Sequence, residues 1–317
     1  MDEAALCDVQ CAGDIIRRYR NNPIIDLRAL PFVCADICNA GAIKVDGEYI
    51  LLVTVQTLEG VFRIHTARGR NGYTFEISEK PFMSPSREDD FRVYEEQGIL
   101  DARITAVNGT YYITYDALGP HGYCLALART EDFQSVQRIG IITEPDNKGG
   151  ALFPRMINGK YTLFQRPWSG GSIWINYSED LEYWGGSEIL MTPRAGYWDS
   201  SRIGAATPPM EIEEGWLFIY YGIKDTSAGP LFRLGAAILD RDEPTRLIGR
   251  TNVPILSPRL PYERIGDVNN LVFSCGAILE PDGELKLYYG AADSCICLGS
   301  THVSTVVQTC MESEREF

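Results

Sequence analysis

The side chains able to do chemistry are thinly spread along this chain and recur at one kind of place. Polar residues stand just ahead of apolar, strand-like runs: Asn39, then Asp101 with Arg103, then Lys148, then Asp199 with Arg202, then Asp267 with Asn270. Arg166, Tyr221 and Asp293 follow the far ends of similar runs. Carboxylates can give or take a proton, and cations can hold an anion. Arg166 is the most telling cation. It follows the apolar stretch Tyr161–Phe164 and precedes Pro167, which puts it partly inside, where a guanidinium needs an anionic partner. That partner is either a ligand or a protein carboxylate. The others have plain structural alternatives: Asp101 could cap a turn, with Arg103 as its salt-bridge partner, and Lys148 could be a solvated loop lysine. Gly149-Gly150 beside Lys148 lets the backbone approach a ligand, a weak signal by itself.

Residues scattered over about 250 positions would converge on one axis if the chain folds as a ring of repeats. Five stretches show one pattern, an apolar strand, a tight turn ending in Gly, and an aromatic-rich strand. They are 42–53 around Asp46-Gly47, 103–115 around Asn108-Gly109, 154–165 around Asn158-Gly159, 209–221 around Glu214-Gly215, and 275–289 around Asp282-Gly283. Asn-Gly and Asp-Gly favour type I′ hairpins because both central residues need positive φ. The turn glycines lie 50 to 68 residues apart, room for about four strands per repeat. Three further turns, each with an aromatic expected to plug the unit (Phe75, Phe133 and Trp184), mark the other half of a repeat. The expectation is an all-β, five-bladed β-propeller with a central active-site pocket, one domain over 1–317 with a short N-terminal extension, 1–21. A β-sandwich would space its strands more closely and lack the five-fold echo. Asp14–Arg20, with Asp14 as N-cap, is the one short helix expected.

Bulk properties narrow the partners. The 317 residues are 45% hydrophobic and carry a net charge of −14, which argues against nucleic acid and against an anionic membrane. An anion would have to be held by a small local cluster of cations. No apolar run approaches a membrane span, and Met1–Ala5 carries two acids with no apolar segment behind it, so a cytoplasmic protein with reduced thiols is expected. Cys7 and Cys11 with Cys34 and Cys38 have a spacing zinc accepts, but sit among apolar residues and read better as small buried hydrophobes. His65, His121 and His302 form no ligand-spaced pair, so no metal is expected.

Read in order, several motifs together resemble glycoside hydrolase family 130, the inverting mannoside phosphorylases and related mannosidases. They are Leu100-Asp101-Ala102-Arg103-Ile104-Thr105, Pro145-Asp146-Asn147-Lys148, Arg166-Pro167, Trp198-Asp199-Ser200-Ser201-Arg202-Ile203-Gly204 and Tyr288-Tyr289-Gly290-Ala291-Ala292-Asp293. The Asp-Ala-Arg form is similar to the branch acting on manno-oligosaccharides and β-1,2-mannosides. The resemblance implies Asp101 as general acid, Lys148, Arg166 and Arg202 as phosphate-binding cations, and Asn39, Arg103, Asp199 and Asp293 at the sugar. Inorganic phosphate would be co-substrate, with no cofactor, and relatives of this kind commonly form homo-oligomers. An inverting hydrolase needs an acid and a base, whereas a phosphorylase needs the acid and a grip on a dianion that is already nucleophilic.

The match departs at Tyr221, where such phosphorylases usually carry a phosphate-site His, and at Gln165, where His is frequent; Tyr221 can still donate a hydrogen bond to phosphate. Val53-Thr54-Val55-Gln56 replaces a run that usually carries Arg, and Gly69 replaces a common Ser. Two alternatives follow: a mannoside hydrolase with Glu211 or Glu213 as base, and a sugar-binding propeller without catalysis.

Overall fold

The computed structural model describes residues 11, 13–88 and 90–313. The chain enters through a two-residue strand, β1 (Arg17–Arg18), and then lays down antiparallel meanders. The first is β2 (Asp36–Val45), β3 (Glu48–Gln56), β4 (Phe62–Gly69) and β5 (Glu76–Ile77). A single turn of helix, α1 (Arg92–Glu95), leads to the second: β6 (Gly98–Val107), β7 (Thr110–Gly119), β8 (Gly122–Thr130) and β9 (Gln137–Ile141). One parallel bridge, Phe62 to Gly98, joins these two units into a single eight-stranded sheet. The third unit is β10 (Asn147–Leu152), β11 (Tyr161–Pro167), β12 (Ile173–Ser178) and β13 (Gly185–Met191). In the fourth, β14 (Arg202–Ala205) and β15 (Met210–Ile212) share one edge of β16 (Gly215–Thr226), followed by β17 (Gly229–Leu239) and β18 (Leu247–Arg250). After α2 (Pro261–Arg264) come β19 (Val272–Leu279), β20 (Glu284–Ala291) and β21 (Cys295–His302), and β1 pairs with β21 to complete this last sheet. A ten-residue helix, α3 (Val303–Glu312), packs Val306 and Cys310 against the fourth and fifth units. No described helix is long and apolar enough to cross a membrane.

All five expected hairpins form. At Asp46-Gly47, Asn108-Gly109 and Asn158-Gly159 both turn residues have positive φ, as type I′ requires; at Glu214-Gly215 and Asp282-Gly283 only the Gly does. The repeat extends to the turn after each third strand. Asn71, Asp132, Asp180 and Asp240 each accept two backbone N–H groups with one carboxyl or amide oxygen, at 2.9–3.0 Å. This Asx geometry stops the strand and turns the chain inward. Phe133 then buries its ring. In the third unit Leu181, not Trp184, takes that buried place, because the residue after Asp180 adopts φ 70° and aims inward while Trp184 lies half-buried across it. Burying such a side chain is worth roughly 1.5–3 kcal/mol.

The apolar core is divided. Among the described residues, buried hydrophobic side chains group into five clusters, each shared by consecutive units, with the last unit also sharing one with the first. The first strands touch as well: β2 meets β6, β6 meets β10, β10 meets β14, and β19 meets β2.

One expectation near the N-terminus needs correction: Asp14–Arg20 does not form a helix. Arg18 is fully buried, bound to Glu263 at 2.6 Å, to Asp14 at 2.9 Å and to the Ser257 carbonyl at 2.6 Å. These tertiary bonds, with the β1–β21 pairing, outweigh any local helical preference. Met1–Ala5 and Cys7 lie outside the described residues. The described cysteines are unpaired, and no three or more described His, Cys, Asp or Glu gather in a metal-holding group. Arg18→Met should destabilise the fold by about 3–5 kcal/mol, because it leaves buried Glu263 without its ion-pair partner, while Asp14 keeps only Arg259 at 3.1 Å. Urea denaturation at pH 7 would measure it; a loss under about 1 kcal/mol would refute this account.

Candidate active site

A cavity of about 290 Å³ opens where the first strands of the units come together. Its wall includes Asn39, Asp101, Lys148, Arg166, Arg202, Tyr221, Asp267 and Asp293 from the sequence-derived set. Asp36, Cys38, Tyr123, Trp168 and Phe273 join them. Three of the inner strands that supply polar side chains carry a bulge at that point, while β14, which supplies Arg202, keeps its register. The register slips between Cys38 and Ala40 in β2, between Leu100 and Arg103 in β6, and between Lys148 and Ala151 in β10. A bulge re-aims one side chain out of the sheet's alternation, here into the cavity. The bulge residues Asn39, Asp101 and Gly149 have φ of 42°, 56° and 72°. For the two non-glycines this conformation costs roughly 1 kcal/mol each.

Local bonds offset that cost at Asp101. Its N–H donates to Thr54 Oγ1 at 3.1 Å, its carbonyl accepts from Arg103 at 2.9 Å, and its carboxylate accepts from Asn39 Nδ2 at 2.8 Å. Asn39 Oδ1 is buried without a protein partner.

The cations come from the third and fourth units. Lys148 and Arg166 are register partners across β10 and β11, so they project on the same side. The Arg166 and Arg202 guanidiniums both lie over the Trp168 indole, at 5.3 and 4.8 Å, and Lys148 lies over Tyr123 at 4.2 Å. Arg166 Nε donates to the Tyr221 hydroxyl at 2.8 Å, which fixes its plane. Arg166 Nη1 and Arg202 Nε are buried donors without a protein acceptor, which suits a bound anion. Tyr221 fits because residue 204 is Gly: a Cβ there would fall 2.3 Å from the hydroxyl. Gln165 takes no part in the wall. It links Asn147 and Asn176 through its amide, at 2.6 and 2.7 Å, and Asn147 in turn accepts the Arg166 N–H.

Burial and crowding of carboxylates shape the acidic wall. Burial, followed by the Asp101 charge, pushes Asp293 up to about 7, with Lys148 opposing, and its Oδ1 has no protein partner. Burial also raises Asp36, with Asp267 adding to the effect. The Cys38 thiol is pushed well up by burial and by neighbouring carboxylates, so it is no thiolate nucleophile.

Several expected residues do not reach the cavity. Arg103 is fully buried behind it, donating to the carbonyls of Asp101, Ala205 and Ala206. Asp199 is fully buried in a structural cluster with Arg194, Arg250 and the Tyr220 hydroxyl, its nearest cation at 2.7 Å. Both were expected at the sugar; their bonding capacity is taken by the protein. Asn270 is not in the wall. Glu211 and Glu213, the candidate bases of the hydrolase alternative that otherwise read as solvated strand carboxylates, do not line the cavity: Glu211 pairs with Arg155 and Arg241 at the surface, and Glu213 is exposed. Trp168 and Asp116 went unmarked in the sequence. Trp168, directly after Arg166-Pro167 and about half exposed, offered a signal: a large aromatic beside a suspected anion-binding cation. Asp116, an acid inside the apolar run Tyr111–Leu118, offered another.

The chemistry this permits is specific. The three cations can hold a dianion, Asn39 and Asp293 can bond hydroxyl groups, and Asp101 brings a carboxyl group to the same cavity. Since Asp293 holds its proton to higher pH when folded than its ordinary 3.8, folding gains from it are complete below that value and are lost as pH rises to about 7. Asp293→Asn should therefore be more stable than the parent at pH 8, with the difference gone near pH 4. Thermal denaturation across that range would check it, and a variant less stable at pH 8 would contradict it.

Comparison with known proteins gives concordant findings. The sequence profile of glycoside hydrolase family 130, described as beta-1,4-mannooligosaccharide phosphorylase, matches residues 36–312. The chain is 40% identical over 235 residues to a beta-1,2-mannobiose phosphorylase of Listeria innocua, covering 73% of this chain but 64% of that protein's length. It is 32% identical over 312 residues to a beta-1,4-mannooligosaccharide phosphorylase of Ruminococcus albus, covering 93% and 90%. Its fold superposes on a Listeria innocua beta-1,2-mannobiose phosphorylase solved with beta-1,2-mannobiose, with a TM-score of 0.84 and 31% identity over 93% of this chain and 99% of that one.

Proposed function

The chain belongs to glycoside hydrolase family 130, and from that membership we propose that it is an inverting β-mannoside phosphorylase. Inorganic phosphate and a manno-oligosaccharide or β-1,2-mannobiose-type substrate would yield α-mannose 1-phosphate and a shortened sugar. The gathering of Lys148, Arg166 and Arg202 in one cavity with Asp101 carries this reading. Phosphate, held by the three cations and the Tyr221 hydroxyl, attacks the anomeric carbon from the face opposite the leaving sugar. The bond from that carbon to the glycosidic oxygen breaks, and the oxygen takes a proton originating from Asp101, relayed by a sugar hydroxyl as in the family. Asn39 and Asp293 bond the mannosyl hydroxyls. Phosphate needs no base to activate it, which fits a cavity wall that omits Glu211 and Glu213.

The architecture we propose is a five-bladed propeller acting as one catalytic domain, with β1 completing the last blade. Five meanders, five shared apolar clusters and the contact of β19 with β2 support it. A cytoplasmic location, self-association and independence of any metal or organic cofactor belong to the same proposal.

Incubation with β-1,2- and β-1,4-mannobiose, with and without phosphate, tests the reaction. Mannose 1-phosphate should appear only with phosphate. Equal turnover to free mannose in phosphate-free buffer would make the protein a hydrolase, and binding without turnover would make it a lectin-like module. Asp101→Asn should lower kcat by about 10²–10⁴-fold while leaving substrate binding largely intact. Arg166→Ala should act chiefly on phosphate, raising its KM about tenfold or more, as expected for loss of a charge-assisted bond; an unchanged phosphate KM would remove Arg166 from the anion site.

A further inference from the structure

Asp116 is a fully buried carboxylate on β7 whose hydrogen-bond partner among the described residues is the Gly149 N–H. Its Oδ1 accepts the Gly149 N–H at 3.0 Å, and its Oδ2 is buried with no partner. One turn of the strand alternation away, Thr114 donates to the Gly150 carbonyl at 2.6 Å. β7 thus holds both glycines of the β10 bulge, the bulge whose first residue is Lys148. Gly149 has φ of 72°, which a side chain would strain, so the backbone path leading from Lys148 depends on these two bonds. A buried carboxylate with one idle oxygen is costly to maintain, and a neutral amide acceptor would have supplied the same N–H bond. The charge therefore calls for its own explanation.

We propose that Asp116 is a positioning residue for phosphate: it anchors the bulge that aims Lys148, and its negative charge behind Lys148 lowers the affinity of the site for the incoming dianion. The proposal rests on the phosphorylase reading above. Charged and titratable groups face Asp116 from every side: Asp101 and Arg103 on β6, Lys148 on β10, Tyr123 on β8 and Cys275 on β19. Burial and the Asp101 charge hold it at about 6, with Lys148 and Arg103 opposing, so it is largely ionised at neutral pH. Two electrostatic effects compete when that charge is removed. Lys148, whose burial is outweighed by Asp116 and Asp101, loses some of the attraction that keeps it protonated. Asp101 remains beside it, and its ordinary value of 10.5 lies far above neutrality, so it stays charged at pH 7. The direct repulsion between Asp116 and phosphate is then the effect that changes.

The test compares Asp116→Asn and Asp116→Ala with the parent, measuring phosphate KM, mannoside KM and kcat for mannose 1-phosphate release. Asn keeps the Gly149 bond and loses the charge: its phosphate KM should fall about three- to tenfold at pH 7.5 with mannoside KM unchanged. The ratio of parent to Asn phosphate KM should shrink toward one between pH 7 and pH 5 as the parent's Asp116 takes up its proton; the ratio cancels the titration of phosphate itself. Ala loses the bond as well, and its kcat should fall at least tenfold, a loss that Asn restores. If Asn fails to fold, Asp116→Ser, neutral and able to accept the Gly149 N–H, carries the same comparison. An unchanged or raised phosphate KM in the neutral variant overturns the proposal. A parent enzyme that shows no phosphate-dependent product overturns instead the phosphorylase reading, which keeps the two failures apart.

Discussion

Everything in the cavity depends on how one buried guanidinium is satisfied. Arg103 cannot shed its proton, so it must find acceptors where water does not reach. It finds three carbonyl oxygens, one in its own strand at Asp101 and two at the end of β14, in the fourth unit. The bond to Asp101 spans the β6 bulge and holds that residue in a conformation it would otherwise avoid. The bonds to Ala205 and Ala206 tie the same bulge to the strand that begins with Arg202. The acid and one of the cations are thereby fixed relative to each other through a residue that touches no ligand.

The cavity also reconciles a strongly acidic protein with the anionic co-substrate we propose for it. A net charge of −14 repels phosphate at long range, but salt screens that field within about 8–10 Å, and the local arrangement decides binding. Lys148, Arg166 and Arg202 come from β10, β11 and β14, while Asp36 and Asn39 come from β2 and Asp293 from the turn after β20. Aromatic faces support the cations: Trp168 beneath both arginines, Tyr123 beneath Lys148. A salt-bridge partner would compete with phosphate; a ring orients the cation without neutralising it. Asp199 shows the contrast, since two arginines and a tyrosine saturate it and it has become part of the scaffold.

The scaffold itself is stitched by polar side chains at the seams between units. Thr105 and Thr114 donate to β10 carbonyls, Asp116 accepts from β10, and Arg18 carries the N-terminal strand onto Glu263 beside the fifth unit. Apolar clusters at the same seams supply most of the cohesion, but they are non-directional. The hydrogen bonds set the register in which one unit meets the next, and so set where each bulge points.

The sequence by itself determined the repeat, because a tight turn ending in Gly is local chemistry: the Gly adopts positive φ at all five hairpins. It also carried the cavity's main polar set, since a polar residue at the edge of an apolar strand is visible in one dimension. Tertiary structure alone decided which of those residues face a ligand. Asp199 and Arg202 lie three positions apart, yet one is spent inside on Arg194 and Arg250 and the other faces the cavity. Arg103 and Asp101 are two apart, and the bulge between them sends one behind the wall and the other through it. Asp14–Arg20 failed as a helix for the same reason, because the partners of Arg18 lie about 240 residues away. Burial and partner choice are properties of neighbours in space, and a linear pattern of residue types does not record them.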